Sequence, residues 1–144
     1  MANSTEIGLD TSVVLRLLVG EPAGQSGVAA EAILRAKRGG VAAMVSDLVV
    51  MEAYFALQAS YQAPKRAALL ALSRMFESGD IRPEPGGCAP AVLSESLKST
   101  SKPGFVDRMI HAQYRRHRAG MVTFEKASVK LSGATVLEFA DPDE

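Results

Sequence analysis

Four carboxylates in this chain sit where chemistry is commonly done. Asp10 closes the short apolar stretch Ile7 to Asp10, and Glu52 interrupts the apolar run LVVMEAYFAL, Leu48 to Leu57. Asp107 follows Pro103-Gly104 early in a helical pattern, and Glu125 follows Thr123-Phe124. Carboxylates gathered at one crevice repel, and their pKa values rise unless a cation compensates. Hard oxygen donors without cysteine suit Mg²⁺ or Mn²⁺. Such an ion lowers the pKa of a bound water and steadies phosphate charge, which is phosphoryl-transfer chemistry. Each acid also has a plain structural explanation. Asp10 can cap the helix that starts near Thr11, and Asp107 and Glu125 suit the positive end of a helix dipole. Glu52 is either paired with an arginine, placed at the rim of the core, or held at a cation. Its helical neighbours Leu48, Val49, Phe55 and Ala56 are all apolar, which argues against that face opening to solvent.

The elements that must position these acids alternate. Ile7 to Asp10 reads as a strand, followed by a helix over Val13 to Val19 that is apolar on nearly every side and is expected to be buried. Val28, Ala29, Ala32, Ile33 and Ala36 mark a second helix, ended by Gly39-Gly40. Val41 to Val45 is a strand, and Ser46 or Asp47 then caps the helix that carries Glu52. Pro64 opens a helix with the stripe Ala68, Leu69, Leu72 and Phe76, stopped at Gly79. Ile81 to Glu84 is a short strand, PGGCAP a loop, and Ala91 to Leu97 a modest helix. Pro103 opens the helix of Asp107, closed by Gly120. Met121 to Thr123 is a strand, Glu125 to Leu131 a short helix and Thr135 to Phe139 the last strand. This alternation predicts an α/β fold with a largely parallel sheet covered on both faces. Its active crevice is expected at the carboxyl ends of the strands.

The chain of 144 residues, 47% of them apolar, is long enough for one domain with a core. Its 16 basic and 16 acidic residues balance, so no global field holds nucleic acid, although local patches can. The lone Cys88 excludes an intrachain disulfide and a cysteine zinc cluster. Neither a secretory signal nor an apolar run of membrane-spanning length is evident, and a soluble cytoplasmic protein is expected.

The order of residues resembles the PIN-domain ribonucleases, especially the toxins of VapBC-type toxin–antitoxin modules. The resemblance is carried by LDTSVVLRLLVGEP from Leu9, VSDLVVMEAYFAL from Val45, KPGFVDRMIHAQY from Lys102 and VTFEKA from Val122. It implies a three-layer α/β/α fold with a central, mainly parallel sheet of four or five strands. The whole of 1–140 would be a single such domain, with 141–144 an acidic tail. It places Asp10, Glu52 and Asp107 on the family's metal-binding acids, and Glu125 where the family commonly has Asp. Ser12 stands where the family often has Asn, and Thr11, Ser12 and Thr123 would orient carboxylates or waters. It further implies Mg²⁺- or Mn²⁺-dependent hydrolysis of RNA phosphodiesters, a homodimer, and a small antitoxin that inserts a segment near the acids.

Six Lys or Arg residues lie between Lys98 and Arg118. Lys102 and Arg108, which flank Asp107, and His111, one turn beyond it, are candidates for RNA contact. Arg115, Arg116 and Arg118 are more simply a cationic helix end. Cys88 has no evident base beside it and is not expected to be a nucleophile. Two other functions compete with a ribonuclease. One is a PIN-like binding module with weak or lost catalysis that acts through a partner, which the Glu125 departure favours. The other is an aspartyl-phosphate phosphatase, which ranks last because Ser12 stands where its second acid is expected.

Overall fold

Five short stretches pair as parallel strands and helices connect them, as the alternation predicts. The structure, a computed structural model, describes residues 5–140. The expected acidic tail, 141–144, lies outside the described residues. Along the chain come β1 (Glu6–Gly8), α1 (Thr11–Val19), α2 (Ala23–Arg38), β2 (Ala42–Val45), α3 (Asp47–Tyr61) and α4 (Lys65–Glu77). They are followed by β3 (Ile81–Pro83), α5 (Ala89–Lys98), α6 (Phe105–Arg116), β4 (Met121–Thr123), a 3₁₀ turn at Lys126–Lys130 and β5 (Ala134–Val136).

The strands form two groups. β1, β2 and β3 make one parallel sheet in that order, with Ile7 opposite Ala43 and Ala43 opposite Ile81. β4 and β5 pair in parallel with Val122 opposite Thr135. The expected continuous sheet is therefore divided into a sheet of three and a ribbon of two. The ribbon's Val122, Phe124, Val129 and Phe139 are exposed. Three side chains hold it to the rest. Nε2 of His111 donates to the Ser132 carbonyl (2.6 Å), Arg115 donates to the same oxygen (3.3 Å), and Lys130 donates to the Lys102 carbonyl (3.2 Å). Met121 and Leu131 are buried in it.

The main core lies around β2, whose Ala43 and Val45 are buried between helices, as a central parallel strand requires. Val14 of α1, Val50 of α3, Leu72 of α4 and Leu93 of α5 are fully buried against one another. Each such side chain contributes roughly 1.5–3 kcal/mol. α1 is less enclosed than its composition suggests: Val14 is buried, but Val13, Leu15, Leu17 and Leu18 are half-buried. Tyr54 and Phe105, ring centroids 4.7 Å apart, join α3 to α6 inside the core.

Helix ends follow local chemistry. Asp10 caps α1 by accepting from the Val13 N–H (3.2 Å), and Ser46 caps α3 by accepting from the Val49 N–H (3.2 Å). Gly20, at φ +77°, ends α1 in the left-handed conformation that glycine adopts without strain. By contrast, α4 begins after Pro64 and α6 after Gly104, and neither N-terminus has a side-chain cap.

Candidate active site

The starts of α4 and α6 border one cavity of about 500 Å³. Lys65 and Arg66 from the first turn of α4 line one side, and Gly104 to Asp107 of α6 line another. Ser96 of α5, the segment Ser99 to Pro103, and Glu125 from the ribbon line it as well. Tyr54, Leu69, Phe105 and Val106 supply its apolar surface. Carboxylates, cations and hydroxyls therefore meet at a single concave surface.

Of the four acids singled out in the sequence, Asp107 and Glu125 share this cavity, while Asp10 and Glu52 do not line it. Asp10 is exposed at the start of α1, where Oδ1 accepts from the Ser12 hydroxyl (2.6 Å) and the Val13 N–H. The Ser12 hydrogen bond, and then that of Val13, hold its carboxyl below the usual aspartate range. Thr123 meets Glu125 at the backbone rather than at the carboxylate, its hydroxyl oxygen accepting from the Glu125 N–H (3.0 Å). Thr11 is half-buried in the first turn of α1.

Glu52 corrects the expectation drawn from its neighbours. The buried side of α3 is Asp47, Val50, Ala53, Tyr54 and Leu57. Glu52 is exposed on the other side together with Leu48 and Phe55, which are 82% and 53% exposed. An apolar residue stands on every side of this helix, so periodicity could not tell its inner face from its outer one. Tyr54 lies two positions beyond Glu52, a rotation of about 200°. Glu52 is thus exposed on a different side of α3 from Tyr54 and does not line the cavity.

The basic candidates divide in the same way. Lys102 lines the cavity. Arg108 is engaged by the protein, with Nε donating to the Pro103 carbonyl (2.8 Å) and a terminal nitrogen paired with Glu95 (3.2 Å). His111 and Arg115 hold the ribbon, and Arg116 lies over Gly86 and donates to the Pro85 carbonyl (3.3 Å). Lys65 and Arg66 were not singled out from the sequence. The signal was two cations at a helix start just after Pro64, where the helix dipole disfavours positive charge.

The most buried acid is one the sequence offered only as a cap. Asp47, 3% exposed, accepts from the Cys88 N–H (2.8 Å), the Ala89 N–H (3.0 Å) and the Gln113 side-chain amide. Its own N–H donates to Glu84 (2.8 Å). Fully partnered in this way, it fastens the starts of α3 and α5 to α6. Burial, and then the nearby Asp47 charge, push the Cys88 thiol up, which keeps it protonated and unreactive at neutral pH.

Against known families, residues 7–134 match the PIN domain. The chain belongs to the PIN domain family, whose members are generally nucleases and typically use divalent metals. No curated protein and no solved structure matched it. Among the described residues no three His, Cys, Asp or Glu side chains stand close enough to form a metal site by themselves. The two carboxylates that line the cavity, Asp107 and Glu125, are of the kind that hold a hard divalent cation such as Mg²⁺. That ion is usually held by one or two carboxylates, with waters and substrate phosphates completing its shell.

Among the described residues no helix is long and apolar enough to cross a membrane.

Proposed function

We propose that this protein is a Mg²⁺- or Mn²⁺-dependent endoribonuclease, the toxin of a type II toxin–antitoxin pair acting in the cytoplasm. The observation that carries the nuclease reading is the meeting of Asp107 and Glu125 with Lys65, Arg66 and Lys102 around one cavity. Carboxylates and cations side by side suit a phosphodiester, which needs anchored charge and a divalent ion at the same place. Asp107 and Glu125 would hold the ion, which when bound supplies an activated water and neutralises phosphate charge. Asp10, with Ser12 orienting its carboxylate, and Glu52 belong to the acidic set by their places in the family motif. A single domain spanning 1–140 is part of the same reading.

The toxin role rests on the motif resemblance together with exposed apolar surface suited to partners. Leu9, Val13, Val28, Ala29 and Ala32 line a groove of about 420 Å³ between α1 and α2, a seat for a small antitoxin's segment. Leu48, Met51, Ile110 and Tyr114 line another of about 580 Å³ between α3 and α6, suited to a second copy in a homodimer. The separation of Asp10 and Glu52 from the cavity favours a second reading, a PIN-like binding module with weak catalysis.

Cleavage of a mixed single-stranded RNA pool separates the two. The nuclease requires Mg²⁺ or Mn²⁺ and loses activity by about a hundredfold or more in Asp107→Asn and in Asp10→Asn. Equal cleavage by wild type and both variants, or cleavage unaffected by EDTA, would reject the metal-dependent site. Loss in Asp107→Asn alone would restrict the acidic set to the cavity pair.

A further inference from the structure

We infer that the cleft formed by Lys65, Arg66, Lys102 and the Ser96–Ser101 segment is a phosphate subsite for single-stranded RNA. It lies beside the Asp107 and Glu125 carboxylates. The inference rests on the nuclease reading and adds the residues that would hold the strand. Four observations converge on it.

The first is charge placed against the local field. Lys65 and Arg66 occupy the first turn of α4, where the helix's own N–H groups already present positive charge. Like poles at one point are costly unless an anion lies among them. The second is donor supply. The N-termini of α4 and α6 both border the cleft and neither has a side-chain cap, so backbone N–H groups are open there. Arg66 uses one terminal nitrogen on the Leu97 carbonyl (3.1 Å), which fixes its guanidinium while other N–H groups of the fork stay open.

The third observation is an orphan. The Ser96 hydroxyl in the cleft wall is buried and has no hydrogen-bond partner, a condition that native proteins seldom tolerate without a ligand or water to relieve it. The fourth is shape and sign. About 500 Å³ is within the range of small-ligand sites. Leu69 and Val106 offer an apolar surface for a ribose or base, and the cations and carboxylates line the same cleft. A strand phosphate on the cations leaves its neighbour facing the acids, where the divalent ion would be held.

The test measures binding without cleavage. Anisotropy of a labelled single-stranded RNA of about eight nucleotides is followed in EDTA over a range of salt. In the double variant Lys65→Gln/Arg66→Gln, affinity is expected to fall by about tenfold or more. The slope of log K against log salt should become shallower by about 0.7 for each cation removed. The control Arg35→Gln/Arg38→Gln, on α2, removes equal charge far from the cleft and should leave the slope unchanged. Ser96→Ala weakens binding while leaving the melting temperature level or raised, because the lost hydroxyl had no partner in the protein.

The proposal is overturned if the Lys65/Arg66 variant, folded by circular dichroism, binds like wild type. It is also overturned if the control variant loses as much, or if wild type binds no RNA. If the double variant binds and cleaves normally while cleavage still needs metal, the cleft fails and the nuclease reading stands. If binding depends on the cleft but wild type never cleaves, the nuclease reading fails and the cleft stands.

Discussion

Replacing Asp47 by alanine separates an acid that builds the fold from acids that serve the site. The carboxylate is 3% exposed and accepts from two backbone N–H groups, of Cys88 and Ala89, and from Gln113. Hydrogen bonds to a charged group contribute roughly 1.5–3 kcal/mol each. The two backbone bonds alone therefore correspond to roughly 3–6 kcal/mol. Relief from burying the carboxylate returns part of this, since removing a charge from the interior recovers desolvation energy. A net loss of about 3 kcal/mol is expected, within the range for breaking a buried charged network. At about 3–4 °C per kcal/mol for a chain of this size, the melting temperature falls by about 10 °C. Thermal and urea unfolding followed by circular dichroism measure it. Asp47→Asn should lose nearly as much, because its amide nitrogen must face one of the same donors. RNA cleavage at 20 °C should survive in both, as Asp47 is not part of the cavity wall. A change below about 0.5 kcal/mol in Asp47→Ala would refute the reasoning, because it would equate this site with an ordinary surface position.

Cys88 should alkylate slowly with iodoacetamide at pH 8 compared with free glutathione, and faster only as the pH climbs beyond the usual thiol range. The raised thiol pKa keeps the reactive thiolate scarce at pH 8, and a rate equal to glutathione's would contradict it. Glu125→Asp gives the side chain that the motif resemblance leads one to expect there, and on the proposed reading it is expected to retain or raise RNA cleavage, measured as initial rate against Mn²⁺ concentration. A tenfold loss would mean that the longer side chain has a geometry of its own.

Strand and helix order was readable because each element is punctuated locally. Gly39-Gly40, Pro64 and Gly79 mark real boundaries, α6 ends at Arg116 short of the expected Gly120, Asp10 caps α1, and Ser46 rather than Asp47 caps α3. The family was readable from four short motifs spread along the chain, and the PIN match spans residues 7–134. What failed was orientation. α3 is apolar all round, so nothing local told which side Glu52 faces. The cavity was illegible because its parts lie far apart in sequence, Lys65-Arg66 on α4, Ser96 to Lys102 after α5 and Glu125 in the ribbon. Arg108 and His111 looked free beside Asp107, yet their partners, Glu95, the Pro103 carbonyl and the Ser132 carbonyl, are set by tertiary packing. The division of the strands into three and two is likewise a matter of which edges meet, which no single element encodes.

That division also governs the order in which the molecule opens. The ribbon holds its own small cluster around Met121 and Leu131 and is tied on by three side-chain hydrogen bonds from Lys130, His111 and Arg115. Regions with few buried contacts exchange their amide hydrogens through low-energy openings, well before the core unfolds. Amides of β4 and β5 therefore exchange sooner than those of β2 and α3. Each such opening carries Glu125 away from the cavity and frees the Lys102 carbonyl from Lys130, while Lys65 and Arg66 stay in place on α4. On the proposed reading, the anion site of Lys65 and Arg66 would outlast the pair of carboxylates, so a strand would stay held at moments when it could not be cut.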